Sequence, residues 1–160
     1  MHPGLDRLQE PLTPPMPRYI NDIIVHSTAT PEGRDVTRAD IDAWHKARGW
    51  KGIGYHYLVR TDGTIERGRA ISQPGSHCRG HNAHSIGIAY VGGTDAHGRP
   101  QDTRTEAQKA AMLKLLAELT KMYHCRVHGH RDYAQTDCPS FNAAKEYEGL
   151  YRQLALPKVG

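Results

Sequence analysis

Apolar positions along the chain follow two periods, and each predicts a different kind of element. Ile20–His26 and Ser85–Val91 are short runs rich in β-branched residues with few polar breaks, the pattern of strands buried on both faces. Gly54–Arg60 and Thr64–Arg67 flank Thr61-Asp62-Gly63, where an Asp-Gly pair supplies the positive-φ turn of a β-hairpin. Strand alternation then sets Tyr55 and Tyr57 on one face and His56 on the other. Arg126-Val127-His128 predicts a last, short strand. Helical spacing appears three times. Thr37 is a good cap for a helix that carries Ile41, Trp44 and Ala43 on one side and ends near Arg48-Gly49, with Trp44 and His45 read as packing and surface residues. Thr105-Glu106-Ala107-Gln108 has the capping-box pattern, followed by a broad apolar stripe from Ala111 and Met112 through Leu115, Leu116, Ala117 and Leu119 to Met122. Ala143 to Leu156 predicts a final helix stopped by Pro157.

Strand, helix, hairpin, strand, long helix, strand, helix is the order of an α/β fold: a single domain with a central mixed sheet flanked by helices. Prolines at 11, 14, 15 and 17 set residues 1–17 apart as a proline-rich arm, since proline cannot donate to a sheet and biases its predecessor away from helix. The folded domain is expected over 18–156, with 157–160 as a tail.

Composition narrows the function classes. The 160 residues suit one core, and 38% hydrophobic with 24% charged residues describes an ordinary globular chain. A net charge of +4 favours anionic polymers in general. Its basic residues are not clustered, Arg67-Gly68-Arg69 being the nearest approach, so no nucleic-acid partner is expected. No apolar stretch approaches the ~20 residues of a membrane span. The first residues have neither a positive leader nor an apolar core, so no signal peptide is expected and the chain is expected to be cytoplasmic as synthesised. Three cysteines, 78, 125 and 138, cannot all pair, which fits a reducing compartment or a metal thiolate; a Cys78–Cys125 bridge with Cys138 left over remains open.

Eleven histidines are the unusual feature. His26 closes a buried strand, and the stretch from His128 to Ser140 places His130 eight positions before Cys138. Two imidazoles and a thiolate are ligands that zinc prefers, and three protein ligands leave a fourth position for water, the layout of a catalytic site. The bland reading of His26 is a hydrogen-bonded core histidine. His128 is a rival to His130, because strand alternation faces both the same way. Loop residues 70–83 carry His77 and His81, with His84 just after.

Taken together, Ile23–Thr30, Trp44-His45-Lys46, Gly52–Tyr57, Asp62–Glu66, Gly75-Ser76-His77, Asn82, Ser85–Ile88, Val91-Gly92-Gly93 and Gly129-His130 through Cys138–Phe141 form a set that runs from about residue 20 to 141. It resembles the zinc N-acetylmuramoyl-L-alanine amidases of the bacteriophage lysozyme type (amidase type 2), kin to the peptidoglycan recognition proteins. The resemblance implies that fold, zinc held by His26, His130 and Cys138, and hydrolysis of the amide between N-acetylmuramic acid and L-alanine of the stem peptide. It implies a catalytic tyrosine at Tyr55 and a second catalytic residue at Thr136, where phage members typically carry lysine and amidase-active recognition proteins carry threonine. His77 is placed to handle a proton, to hydrogen-bond substrate or to serve structure, and Asn82 either to bind substrate or to cap its loop. The implied partner is peptidoglycan or a muropeptide, acted on by a monomer. The implied setting is a phage or prophage endolysin, with an exported effector or a recycling enzyme as other settings. A non-catalytic muropeptide-binding module is the alternative function. Some phage members also bind a polymerase, a role on which these residues are silent.

Overall fold

A computed structural model describes residues 18–155; the predicted arm and tail lie outside them. Strand β1 (Asp22–Ser27) is followed by the two-residue β2 (Thr30–Pro31) and by helix α1 (Arg38–Ala47). The hairpin strands β3 (Tyr57–Val59) and β4 (Ile65–Arg67) come next, then β5 (Ser85–Tyr90), β6 (Gly93–Thr94) and the long helix α2 (Glu106–Tyr123). Strand β7 (Arg126–Gly129) leads to α3 (Ala143–Glu146) and α4 (Glu148–Ala155). Five strands form a mixed sheet in the order β4-β3-β5-β1-β7, parallel except for the β3/β4 hairpin, while β2 and β6 make a small parallel pair. The α/β architecture expected from the pattern is the one observed.

Alternation along the central strands divides the core. Ile23 and Val25 of β1, Ile86 and Ile88 of β5 and Val59 of β3 pack on one face with Met112, Leu116 and Leu119 of α2. Leu58 and Ala89 enter the opposite layer with Ile41 of α1, Val36 and Ile53. Thr37 caps α1 and the Thr105–Gln108 capping box opens α2 as the sequence predicts; at α1 the Asp40 side chain adds the reciprocal bond, making a second capping box. Gly49, at φ +89°, lies just past α1 in the left-handed conformation that glycine adopts without a Cβ clash.

Three expectations need correction. The buried face of α1 is Ile41 and His45, four apart, while Trp44 is 36% exposed under the Arg34 guanidinium. In α2 the stripe shifts: Met122 is 66% exposed, and Gln108 and Thr120 take buried places. Each polar intruder is satisfied, Gln108 donating to the carbonyls of Val59 and Val91 and Thr120 to that of Leu116. Finally, the C-terminal helix is broken at Tyr147, whose ring enters the core at 4% exposure.

Arg104, which no sequence pattern singled out, ties the start of α2 to α3. Its side chain is 2% exposed, lies 3.4 Å from the Phe141 ring centroid, and bonds Asp102, Glu146 and the Tyr147 hydroxyl. Burial pushes the Asp102 carboxyl up, but the hydrogen bonds and charge of Arg104 outweigh it and hold the carboxyl below its usual range. The same guanidinium lowers Glu146. Carboxylates depressed in the folded state add stability that is complete above their unfolded pKa, about 4, and drains away as pH falls through the folded values. Arg104→Met should therefore cost about 2–3 kcal/mol, below the range for a fully buried orphan charge because both carboxylates can rehydrate. Urea unfolding at pH 7 and pH 3 checks this: the wild-type protein loses stability between the two, and the variant loses much less.

Candidate metal centre and catalytic cleft

The sheet register brings the two histidines together. β1 and β7 are parallel neighbours with Val25 opposite Gly129, so one further step along each strand sets His26 beside His130, with ring centroids 4.6 Å apart. Strand β7 ends at Gly129, and His130 opens a short 3₁₀ turn (His130–Asp132) that takes it out of strand alternation. That break separates the two rivals left open by sequence. His128 turns back along β1 to Asp22, its Nδ1 2.7 Å from Oδ1, and Tyr133 donates to the other carboxylate oxygen. Tyr133 also stacks on His81 at 3.9 Å, linking the loop after β7 to the loop before β5.

Cys138 reaches the same point from the far side of its loop. The Ser27 amide at the end of β1 donates to its Sγ at 3.2 Å. Around it, the Tyr90 hydroxyl donates to the Pro139 carbonyl at 2.6 Å, Ser140 donates to the Gly93 carbonyl, and the Arg131 amide donates to the Cys138 carbonyl. The ligand atoms of His26, His130 and Cys138 all lie within 4.8 Å of one another. In a tetrahedral zinc site such atoms stand roughly 3.3–3.8 Å apart, given zinc–nitrogen distances near 2.0 Å and zinc–sulfur near 2.3 Å. The cluster is thus within about an ångström of the donor spacing of a tetrahedral zinc site, and its two-imidazole, one-thiolate composition suits zinc.

Electrostatics at the cluster follow from burial. His26 is 1% exposed, and desolvation, reinforced by His77 and His130, holds its imidazole well below its usual range. Burial lowers His130 likewise, so both rings are neutral, the form that binds a cation. The Cys138 thiol is pushed up by burial, opposed by the hydrogen bonds from Ser27. A divalent cation reverses that balance by favouring the thiolate.

Tyr55 stands half-buried against His26, ring centroids 5.2 Å apart. It does not share a face with Tyr57 as alternation predicts: Tyr55 packs on the α1 layer and Tyr57 on the α2 layer. The reason is a break in the pleat. The consecutive carbonyls of Tyr55 and His56 accept from the consecutive amides of Arg69 and Gly68, whereas carbonyls of a regular strand alternate in direction. His45 supports this segment. It is buried rather than on the surface, and its Nδ1 accepts from the Gly54 amide at 2.8 Å. Burial pushes the Tyr55 phenol well above its ordinary value, so at neutral pH it is a hydrogen-bond donor.

Thr136 is exposed, and its hydroxyl oxygen accepts from the Cys138 amide at 3.3 Å, which leaves its proton free to donate. Asn82 Oδ1 accepts from the amides of His77 and Cys78, capping that loop. His77 is buried behind His26, with Nδ1 2.8 Å from His26 Nε2 and Nε2 3.1 Å from Ser85 Oγ. All three cysteines are free, so Cys78 and Cys125 form no bridge. Ser27, Asp22, Ser85 and His45 hold the site without having been foreseen; Ser27 and Asp22 act through contacts 111 and 106 residues away in sequence, His45 and Ser85 through bonds across shorter loops.

Residues 16–141 match the model of the N-acetylmuramoyl-L-alanine amidase family. The chain belongs to that family. An endolysin of Klebsiella phage KP32 is 43% identical over 129 residues, covering 80% of this chain and 85% of the phage protein. Peptidoglycan-recognition protein SC2 of Drosophila melanogaster is 30% identical over 138 residues, covering 80% and 72%. Among solved structures, the N-acetylmuramoyl-L-alanine amidase LysC of Clostridium intestinale superposes with a TM-score of 0.71 at 35% identity, covering 91% of this chain and 92% of LysC. Among the described residues, no helix of this family member is long and apolar enough to cross a membrane.

Proposed function

We propose that the protein is a zinc-dependent peptidoglycan hydrolase of phage endolysin type, which cleaves the amide between the lactyl group of N-acetylmuramic acid and L-alanine of the stem peptide. The reading rests on one observation: the donor atoms of His26, His130 and Cys138 converge at the carboxyl ends of β1 and β7 with Tyr55 beside them. Open α/β sheets bind ligands at that end of the strands. Family membership and 43% identity to a phage endolysin support the same reaction.

His26, His130 and Cys138 would hold the ion. Bound there, zinc supplies Lewis acidity toward the scissile carbonyl and brings the pKa of water near neutrality. The chain's own groups do the rest. Tyr55, protonated at neutral pH, donates to the carbonyl oxygen as negative charge builds on it. Thr136 offers a second, neutral donor from the exposed side, and the Asn82 side-chain amide is left to meet substrate. His77 acts from behind His26. The Ser27 amide steadies the Cys138 sulfur while it is a thiolate. The assigned domain is 18–156, flanked by an arm and a tail, and it works as a monomer on cell-wall peptidoglycan. A muropeptide-binding module that cuts nothing has no need of a thiol held at position 138, so the seating of Cys138 favours hydrolysis.

Mass spectrometry of digests of intact peptidoglycan is the test. Stem peptides with a free L-alanine amine should appear, vanish on treatment with a chelator and return on adding zinc. New reducing sugar ends, or no soluble product with zinc present, would reject the assignment.

A further inference from the structure

Behind the proposed zinc ligand His26 runs a line of hydrogen bonds with only one possible direction. Ser85 Oγ lies 2.6 Å from the His81 carbonyl oxygen, and a carbonyl has no proton to give, so Ser85 donates. The Ser85 oxygen is then left with lone pairs only, and His77 Nε2, 3.1 Å away, must carry the hydrogen that meets it. A neutral imidazole has one N–H, so His77 Nδ1 is an acceptor. His26 Nε2, 2.8 Å from that atom, is therefore the donor. Its remaining nitrogen, Nδ1, has a lone pair. Each member is buried: His26 1%, Ser85 1% and His77 9% exposed.

The chain clears space for this line. A Cβ at Gly87 would lie 2.5 Å from the His77 ring, and one at Gly75 would also lie 2.5 Å from it. The ring is thus seated between two backbone segments that only glycine lets approach, while Asn82 fixes the His77 amide.

We propose that His77 and Ser85 are positioning residues that lock His26 in its Nε2–H tautomer and so present Nδ1 to the metal. This rests on the zinc reading above. It also moves His77 out of the reacting groups: with both nitrogens committed to protein partners, it neither touches substrate nor carries a proton to it. Ligand histidines whose second nitrogen is held by a partner bind metal better because ring orientation and tautomer are settled beforehand.

Two measurements on folded protein test this. Long-range ¹H–¹⁵N spectra of histidine-labelled, metal-free protein should show the His26 proton on Nε2 in the wild type and a mixture of tautomers in His77→Leu. Zinc titration should show affinity about 10–100-fold weaker in His77→Leu. In His77→Asn, whose Oδ1 still accepts from His26, affinity should stay within a few-fold of wild type. Ser85→Ala frees the His77 tautomer without emptying the site, and should also mix the His26 tautomers, which serves if His77→Leu does not fold. A wild-type His26 protonated on Nδ1, or equal zinc loss in the Leu and Asn variants, overturns the relay. A wild-type protein that held no zinc would instead defeat the metal reading, and the spectrum of the metal-free protein answers for the relay separately.

Discussion

Cys138→Ser should abolish both zinc retention and amide hydrolysis while leaving the fold in place. The hydroxyl is a poor zinc ligand beside a thiolate, and the remaining two imidazoles cannot complete a catalytic site. Hydrolysis should fall by more than the ~100-fold that bounds the loss of a partner behind a ligand. Folding should survive because the loop is anchored independently of the sulfur, through Tyr90 to the Pro139 carbonyl and Ser140 to the Gly93 carbonyl. Thermal unfolding with and without metal separates the two effects. A ligand at a thousand times its dissociation constant stabilises the native state by about 4 kcal/mol, so zinc should raise the melting temperature of the wild type. The variant should melt with the metal-free wild type and ignore added zinc. A variant that keeps its zinc and its activity would exclude Cys138 as a ligand and move the site elsewhere.

Residues whose partners lie along the same strand or helix were legible in the sequence. Thr37 and Thr105 find their partners three residues on, and the Asp-Gly turn closes the hairpin, because those bonds depend on local spacing alone. The meeting of His26 and His130 was half legible. His26 closes a buried strand and His130 comes just after a short one, but that β1 and β7 are adjacent and in register is a property of the sheet. What strand and helix periods could not give were the points where backbone geometry departs from them. The broken pleat at Tyr55 and His56 sends Tyr55 to the α1 layer beside His26. The 3₁₀ turn at His130 frees it from the alternation that keeps His128 as its rival. Buried polar residues were the other omission. Arg104 and Gln108 read as ordinary surface types, and only tertiary partners make their burial tolerable. The misplaced face of α1 has the same origin, since His45 is taken inside by a bond to the Gly54 amide while the larger Trp44 stays outside.

Tyr55→Phe should lower kcat about 10²–10³-fold, the usual loss on removing one donor to a developing oxyanion, with KM nearly unchanged. The substitution keeps the ring that packs against His26 and His45, so zinc affinity and stability should remain close to wild type. Thr136→Val supplies the comparison. Thr136 is exposed, and its oxygen already accepts from the Cys138 amide, so its remaining proton makes a neutral hydrogen bond in contact with water. Such a bond is worth less than one made inside a desolvated cleft, and its loss should cost ten-fold or less, from the ~0.5–1.5 kcal/mol of an ordinary net hydrogen bond. The order of the two losses is the decisive outcome. If Thr136→Val proved the more damaging, the main stabilising contact would lie on the open side of the cleft. Tyr55 would then be a wall of the site, its protonated phenol a consequence of burial without a part in the chemistry. Single-turnover kinetics on a soluble muropeptide, with zinc saturating in every variant, give that order without interference from metal loss.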